Sequence, residues 1–328
     1  MNMARWIETV RQTPRKKPLP ILSFPGTQLI GATVRDLVHS GELQAECMQA
    51  IAGRYPTLAA VSSMDLSVEA EAFGAAVVFG DAEVPSIRGH LVETAEDADA
   101  LRIPSVGAGR TGEYIKAIRL ASQRITDRPV LAGVIGPFSL AGRLFELTEI
   151  MYLAVDEPDT VHKVLDKAAR FLTDYILAFK EAGANGIVMA EPAAGLLSPA
   201  WNAEFSAQYV KKIVAAVQDE NFMVVYHNCG NVVPLLDSIL DNGAMAYHFG
   251  NAIDLADVVG RIPAGRLVMG NIDPASQFAH GTPESIAEAT RALIRKTEGY
   301  PDFVLSSGCD IPPQTPLANI DAFFAAAE

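Results

Sequence analysis

Three residues have the side chains and spacing of a metal site. His227 and Cys229 are separated by one residue in the run YHNCG, and Cys309 lies far along the chain in SSGCD. Zinc favours thiolate sulfur and imidazole nitrogen. Three protein ligands leave a coordination position open for chemistry, whereas structural sites close all four positions, usually from tightly paired spacings. The plainer account is a hydrogen-bonded core histidine with two small buried thiols. Spacing alone does not separate the two accounts, so the elements that carry these residues must.

The chain alternates short β-rich runs with amphipathic stretches. Strands are expected at 20–24, 58–63, 75–79, 129–135, 185–190, 222–227, 244–249, 266–270 and 303–307. Several are near-continuous apolar runs (VLAGVI, GIVMA, FMVVY), as suits parallel strands covered on both faces. Helical spacing is clear over 160–182, where Val161, Val164, Leu165, Ala168, Phe171, Leu172 and Ile176 recur on one face, and also over 198–217 and 283–296. Thr282 is placed to cap the last of these. Ser285, three residues on, is not the Glu or Gln of a full capping box. Repeated β–α units without a linker imply a single α/β domain over 1–328, a (β/α)8 TIM barrel. Residues 1–18 read as an N-terminal helical extension, and 80–128, long for one connection, as a candidate inserted lobe. A doubly wound open sheet is the alternative, but SFPGTQ after the first strand is not a dinucleotide-binding glycine pattern.

In a barrel, chemistry gathers at the C-terminal ends of the strands. His227 and Cys229 close one strand and Cys309 closes another, which favours the metal account. Glu191, His248 and Asp273 also sit where β-patterning stops, and Asp65 follows the strand LAAVSS. Glu191 and His248 are candidates for a fourth ligand. Glu191, Asp65, Asp273 and His248 are candidates to orient substrate or ligands, although Asp65 equally suits a carboxylate at a helix start. Asp310 either orients the neighbouring ligand or favours its turn. Cys47, within QAECMQAIA, reads as packing, and His39, His90, His162 and His280 as surface or structural groups.

A net charge of −13 argues against generic nucleic-acid binding. No apolar run has the length of a membrane span, and MNMARWIETVRQ lacks the apolar core of a secretory signal. A cytoplasmic protein with reduced cysteines is the expectation.

Six segments in order carry a family resemblance: 64–74 (MDLSVEAEAFG), 136–144 (GPFSLAGRL), 191–199 (EPAAGLLSP), 226–234 (YHNCGNVVP), 269–274 (MGNIDP) and 308–320 (GCDIPPQTPLANI). With them the chain resembles the uroporphyrinogen decarboxylase-like superfamily. It is most similar to the zinc-dependent branch of methylcobamide:coenzyme M and related corrinoid-linked methyltransferases, including demethylating members. The resemblance implies a barrel that binds zinc through His227, Cys229 and Cys309 and docks a corrinoid-carrying partner protein. Methyl would pass between the corrinoid and a small thiol, methoxy or methylamino compound. Relatives often carry an acidic residue after the strand following H-x-C, where this chain has Tyr247-His248-Phe249-Gly250-Asn251. Two other readings compete: a metal-free decarboxylase, although the arginine-bearing N-terminal motif of that enzyme is absent, and a non-catalytic corrinoid-protein-binding subunit.

Overall fold

A computed structural model describes residues 1–328. Seven parallel strands form one curled sheet: β1 (Ala60–Val61), β4 (Val130–Ile135), β5 (Gly186–Ala190), β6 (Met223–Asn228), β7 (Ala246–Phe249), β8 (Leu267–Ile272) and β9 (Phe303–Ser307), paired in that order. Each follows the last through at least one helix, as parallel pairing requires. Two strands between β1 and β4 stand outside this sheet. They are β2 (Ala76–Val78) and β3 (Ser86–Arg88), an antiparallel hairpin.

The strand expected at 20–24 is not a regular strand, yet it occupies the eighth place. Leu19 N–H donates to Leu305 O on one side (2.9 Å), and Leu58 N–H donates to Pro18 O on the other (2.9 Å). Pro18 and Pro20 have no N–H, so a continuous ladder cannot form there. The barrel therefore closes through a few bonds around residues 18–22 rather than through a full strand.

The strand expected at 75–79 is half of the β2–β3 hairpin, with Ala76 and Val78 exposed. A strand buried on both faces needs helices over it, and this one has none. The excursion is also smaller than 80–128. Its last helix, Thr111–Arg124, buries Tyr114, Ala117, Ile118 and Ala121 and is an ordinary barrel helix.

The expected helix at 160–182 runs over Pro158–Glu181. The one at 198–217 is interrupted by a π-helical stretch, Asn202–Ala207. Helix Pro283–Lys296 has a reciprocal cap after all: Ser285 N–H donates to the Thr282 hydroxyl (3.2 Å), and Thr282 N–H donates to the Ser285 hydroxyl (3.0 Å). A serine hydroxyl does here what the longer Glu or Gln usually does.

Two apolar layers hold the barrel. The larger lies between strands and helices. The smaller fills the barrel interior with Leu131, Val188, Ala190, Val225, Ala246, Leu267, Met269 and Val304, alternate residues of successive strands. Met3, Ile7 and Val10, at helical spacing on Met3–Gln12, belong to this inner layer. The N-terminal helix thus plugs the end of the barrel where the strands begin. Its first amides donate to Glu220 O (2.6 Å from Met3, 3.2 Å from Ala4) in the loop before β6.

Candidate metal centre

Strand alternation decides where each candidate side chain points. Val225, Ala246 and Val304 face the barrel interior, so His227, His248 and Ser306, two residues further on, face it too. The parallel register sets His227 directly beside His248. Cys229 follows the end of β6, and Cys309 follows β9 after Gly308.

These placements bring His227, Cys229 and Cys309 together. One donor atom from each lies within 4.8 Å of the others, and Cys309 Sγ is 3.5 Å from His227 Nε2. Ligand atoms on a tetrahedral zinc, with bonds of about 2.0 Å to nitrogen and 2.3 Å to sulfur, are themselves about 3.5–3.8 Å apart. The donor types and this spacing fit zinc. His227 is buried, while both sulfurs are half-buried and so remain within reach of the barrel mouth. A hydrogen bond from Cys309 holds the Cys229 thiol well below its usual pKa. The same pairing, together with burial, pushes Cys309 up. One sulfur of the pair is thus biased towards thiolate before any metal is considered.

The loop carrying Cys229 is fixed by its neighbours. Asn228 donates through Nδ2 to Glu191 O (2.9 Å) and accepts from Gly230 N–H at Oδ1 (2.8 Å). Gly250 lies against Cys229, and a Cβ there would fall 2.5 Å from Cys229 Cα. No side chain fits at position 250, so a carboxylate there would have no room beside the cysteine.

Neither candidate fourth ligand joins the cluster. His248 is buried with both nitrogens engaged: Nδ1 lies 2.8 Å from His227 Nδ1 and Nε2 lies 2.7 Å from Ser306 Oγ. Burial holds its pKa well below the usual histidine value. Glu191 follows the inward-facing Ala190 and therefore points the other way, into the helix layer. Its oxygens accept from Phe138 N–H (2.8 Å), Ser139 N–H (2.9 Å) and the Ser206 hydroxyl (3.0 Å), anchoring the start of helix Pro137–Phe145. Gly136 makes this possible, because a Cβ there would sit 2.4 Å from Glu191 Oε2. Burial raises the Glu191 pKa against these donors.

Asp65 and Asp273, read as candidates for substrate orientation, make other contacts, through both oxygens of Asp65 and through Oδ1 of Asp273. Asp65 is buried against the Arg110 guanidinium and accepts from the Ser67 hydroxyl (2.6 Å) and the Tyr114 hydroxyl (2.9 Å). Arg110 also pairs with Glu71 (2.7 Å), so Asp65 ties the segment after β1 to the start of helix Thr111–Arg124. Asp273 caps the turn after β8, accepting from Ala275 N–H (2.8 Å) and Ser276 N–H (2.9 Å). Asp310 accepts from the Ser23 hydroxyl (3.1 Å), and desolvation raises its pKa. Cys47 is buried, with its thiol pushed up to about 12 by burial. His39, His90 and His162 bond to Arg35, Glu93 and Tyr209, apart from the cluster.

Sequence reasoning did not single out Ser306 or Asn228. Ser306 comes beside His248 only through the register of the strands, whereas Asn228 lies between His227 and Cys229 in the chain and its role shows only in the bonds it makes. Glu69 is a buried carboxyl in the run VEAEA with one oxygen on Ile135 N–H (3.0 Å) and the other without a partner. Burial pushes it up to about 7.

The uroporphyrinogen decarboxylase (URO-D) family model matches residues 21–328. The chain belongs to this family. Within the URO-D family it is 29% identical to the methylcobamide:CoM methyltransferase MtbA of Methanosarcina mazei, over 98% of this chain and 97% of the relative. It is 31% identical to MtaA, another methylcobamide:CoM methyltransferase, of Methanosarcina barkeri, over 80% and 77%. A uroporphyrinogen decarboxylase of Psychromonas ingrahamii is 28% identical over 87% and 84%. Among solved structures, a methyltransferase from Methanosarcina mazei superposes with a TM-score of 0.87 at 25% identity, covering 98% of this chain and 97% of that one. The curled sheet is therefore a URO-D-type TIM barrel. No helix is long and apolar enough to cross a membrane.

Proposed function

We propose that this URO-D family member is a zinc-dependent methyltransferase of a corrinoid system. It would move a methyl group between a corrinoid carried by a partner protein and a small thiol, methoxy or methylamino substrate. The observation that carries this reading is the convergence of His227, Cys229 and Cys309 at the C-terminal ends of β6 and β9. Similarity along nearly the whole chain to methylcobamide:CoM methyltransferases supports the reaction class.

The chain's own residues account for most of the design. His227 would offer Nε2, the nitrogen facing Cys309, and the two cysteines would offer thiolates. Zinc held there would supply a Lewis-acid position for the substrate's sulfur, oxygen or nitrogen, lowering a thiol's pKa or polarising a bond to methyl. With His248 and Glu191 engaged elsewhere, the cluster has three protein donors, the number that catalytic zinc sites use. Asn228 and Gly250 hold the Cys229 loop in place. The inner apolar layer closes the barrel beneath the cluster and keeps bulk water from reaching it from below.

Uroporphyrinogen decarboxylases share the family, but metal-free decarboxylation gives no reason for two cysteines and a histidine to meet at the barrel mouth. The experiment pairs metal analysis with methyl transfer. Protein purified without added zinc should hold about one equivalent, lost in Cys309→Ala. It should also demethylate free methylcobalamin with one of a panel of thiols, or methylate cob(I)alamin from a methoxy or methylamino donor. Metal content below about half an equivalent that is unchanged in the variant would sink the zinc reading.

A further inference from the structure

We infer that His248 and Ser306 set the tautomer of His227. A one-way hydrogen-bond chain ending on the Leu19 carbonyl keeps the His227 proton on Nδ1 and leaves the Nε2 lone pair facing the sulfurs. For the metal this rests on the zinc reading above. The order of the protons follows from the hydrogen bonds themselves.

The chain is solved from its far end. Leu19 O can only accept, so the Ser306 hydroxyl, 2.7 Å away, donates to it. A hydroxyl has one proton. Having given it to Leu19, Ser306 Oγ can only accept from His248 Nε2 at 2.7 Å, so Nε2 carries the His248 proton. His248 is buried and contacts no carboxylate, and a buried ring without a counter-charge stays neutral. Its Nδ1 therefore holds a lone pair. His227 Nδ1 lies 2.8 Å from that lone pair and must bring the proton.

A second contact reaches the same answer. The backbone carbonyl of His248, which also can only accept, lies 3.2 Å from His227 Nδ1. Both neighbours of that nitrogen are acceptors, so the Nδ1–H tautomer is specified twice. Nε2 is left unprotonated 3.5 Å from Cys309 Sγ, where a metal needs a lone pair.

Metal-bound histidines usually give their other N–H to a carboxylate or carbonyl, which orients the ring. Here a neutral imidazole takes that place beside the carbonyl and brings no negative charge into the interior. The chain of contacts also crosses the barrel, from β6 through β7 and β9 to residue 19. Leu19 is itself held by its N–H on Leu305 O, so its carbonyl has little freedom to turn away from Ser306.

The test reads protons and metal separately. Two-bond 1H–15N correlation spectra of metal-free, reduced protein labelled with 15N-histidine report each ring's tautomer. Opposite tautomers are expected, Nδ1–H for His227 and Nε2–H for His248. Zinc dissociation constants are then taken by competition with a chromogenic chelator. His248→Leu should weaken binding by about 10–100-fold, the range for removing such a supporting partner. His248→Gln, whose amide can accept from His227 and donate to Ser306, should recover most of the loss. Ser306→Ala, a smaller change should His248→Leu fold poorly, should leave His248 as a mixture of tautomers. An Nε2–H tautomer at His227 overturns the inference, as does zinc binding in a folded His248→Leu protein as tight as in the unaltered protein. A chain that binds no zinc but shows the stated tautomers would fail the metal reading and keep the proton order.

Discussion

His227 and His248 stand side by side on neighbouring parallel strands, their Nδ1 atoms 2.8 Å apart and their rings at 72° to one another. One ring belongs to the donor cluster and the other supports it from the barrel interior. A single pairing register separates those roles, since the two residues share a face and a level.

The three cysteines should differ sharply towards alkylating reagents. In metal-free protein, Cys229 should react first with iodoacetamide, because its thiol is held low and is half-buried rather than enclosed. Cys47, buried and raised to about 12, should stay unmodified until the chain unfolds. Added zinc should protect Cys229 and Cys309 together. Mass spectrometry of digests reads each site, and early labelling of Cys47 in folded protein would contradict the packing described.

Gly250→Ala should damage the centre without touching a donor. The new methyl carbon would meet Cys229 Cα at 2.5 Å and its Cβ at 2.8 Å, so the loop must move. Overpacking of this kind costs about 1–3 kcal/mol. The expected result is a lower urea midpoint and weaker zinc binding, both measurable on purified protein. A variant matching the original on both would show that the Cys229 loop gives way freely.

Glu69 gives stability a definite pH dependence. Its carboxyl titrates near 4.5 when unfolded and is pushed up to about 7 by burial in the fold. Between those values the folded chain binds the extra proton. Its contribution is full below about pH 4.5, falls as pH rises to about 7, and is flat above. The loss is up to about 3 kcal/mol. Glu69→Gln keeps an acceptor for Ile135 N–H and cannot ionise, so it should flatten the fall in urea midpoint between pH 5 and pH 8. An unaltered slope in the variant would assign the pH dependence to other groups.

Much of this architecture is legible in the residues. Near-continuous apolar runs mark the buried parallel strands, and the polar residues that end them mark the mouth, so convergence of His227, Cys229 and Cys309 follows from placement alone. The rest depends on information a linear pattern does not hold. Pro18 and Pro20 erase the ladder of the closing segment while leaving its position intact. Val77 and its neighbours are as β-prone as a core strand, and only the missing cover of helices makes them a surface hairpin. His248 and Glu191 both look like spare ligands at strand ends. One is turned to the back of His227 by register, and the other is turned to the helix layer because it follows an inward residue. Ser306 is an ordinary serine until β9 is laid two strands from β7.

The segment around residues 18–22 has a consequence for how the molecule is made. Its partners Leu305 and Ser307 lie almost at the other end of the chain. So does Cys309, which completes the donor cluster begun by His227. A ribosome synthesises the first stave long before the last, and contacts of such sequence separation form late and slowly. Until β9 emerges, the barrel interior stays open along one seam, with Met3, Ile7 and Val10 lacking part of their cover. Closure of the ring and completion of the cluster thus depend on the same final strand, so a nascent chain cannot assemble the site ahead of the fold.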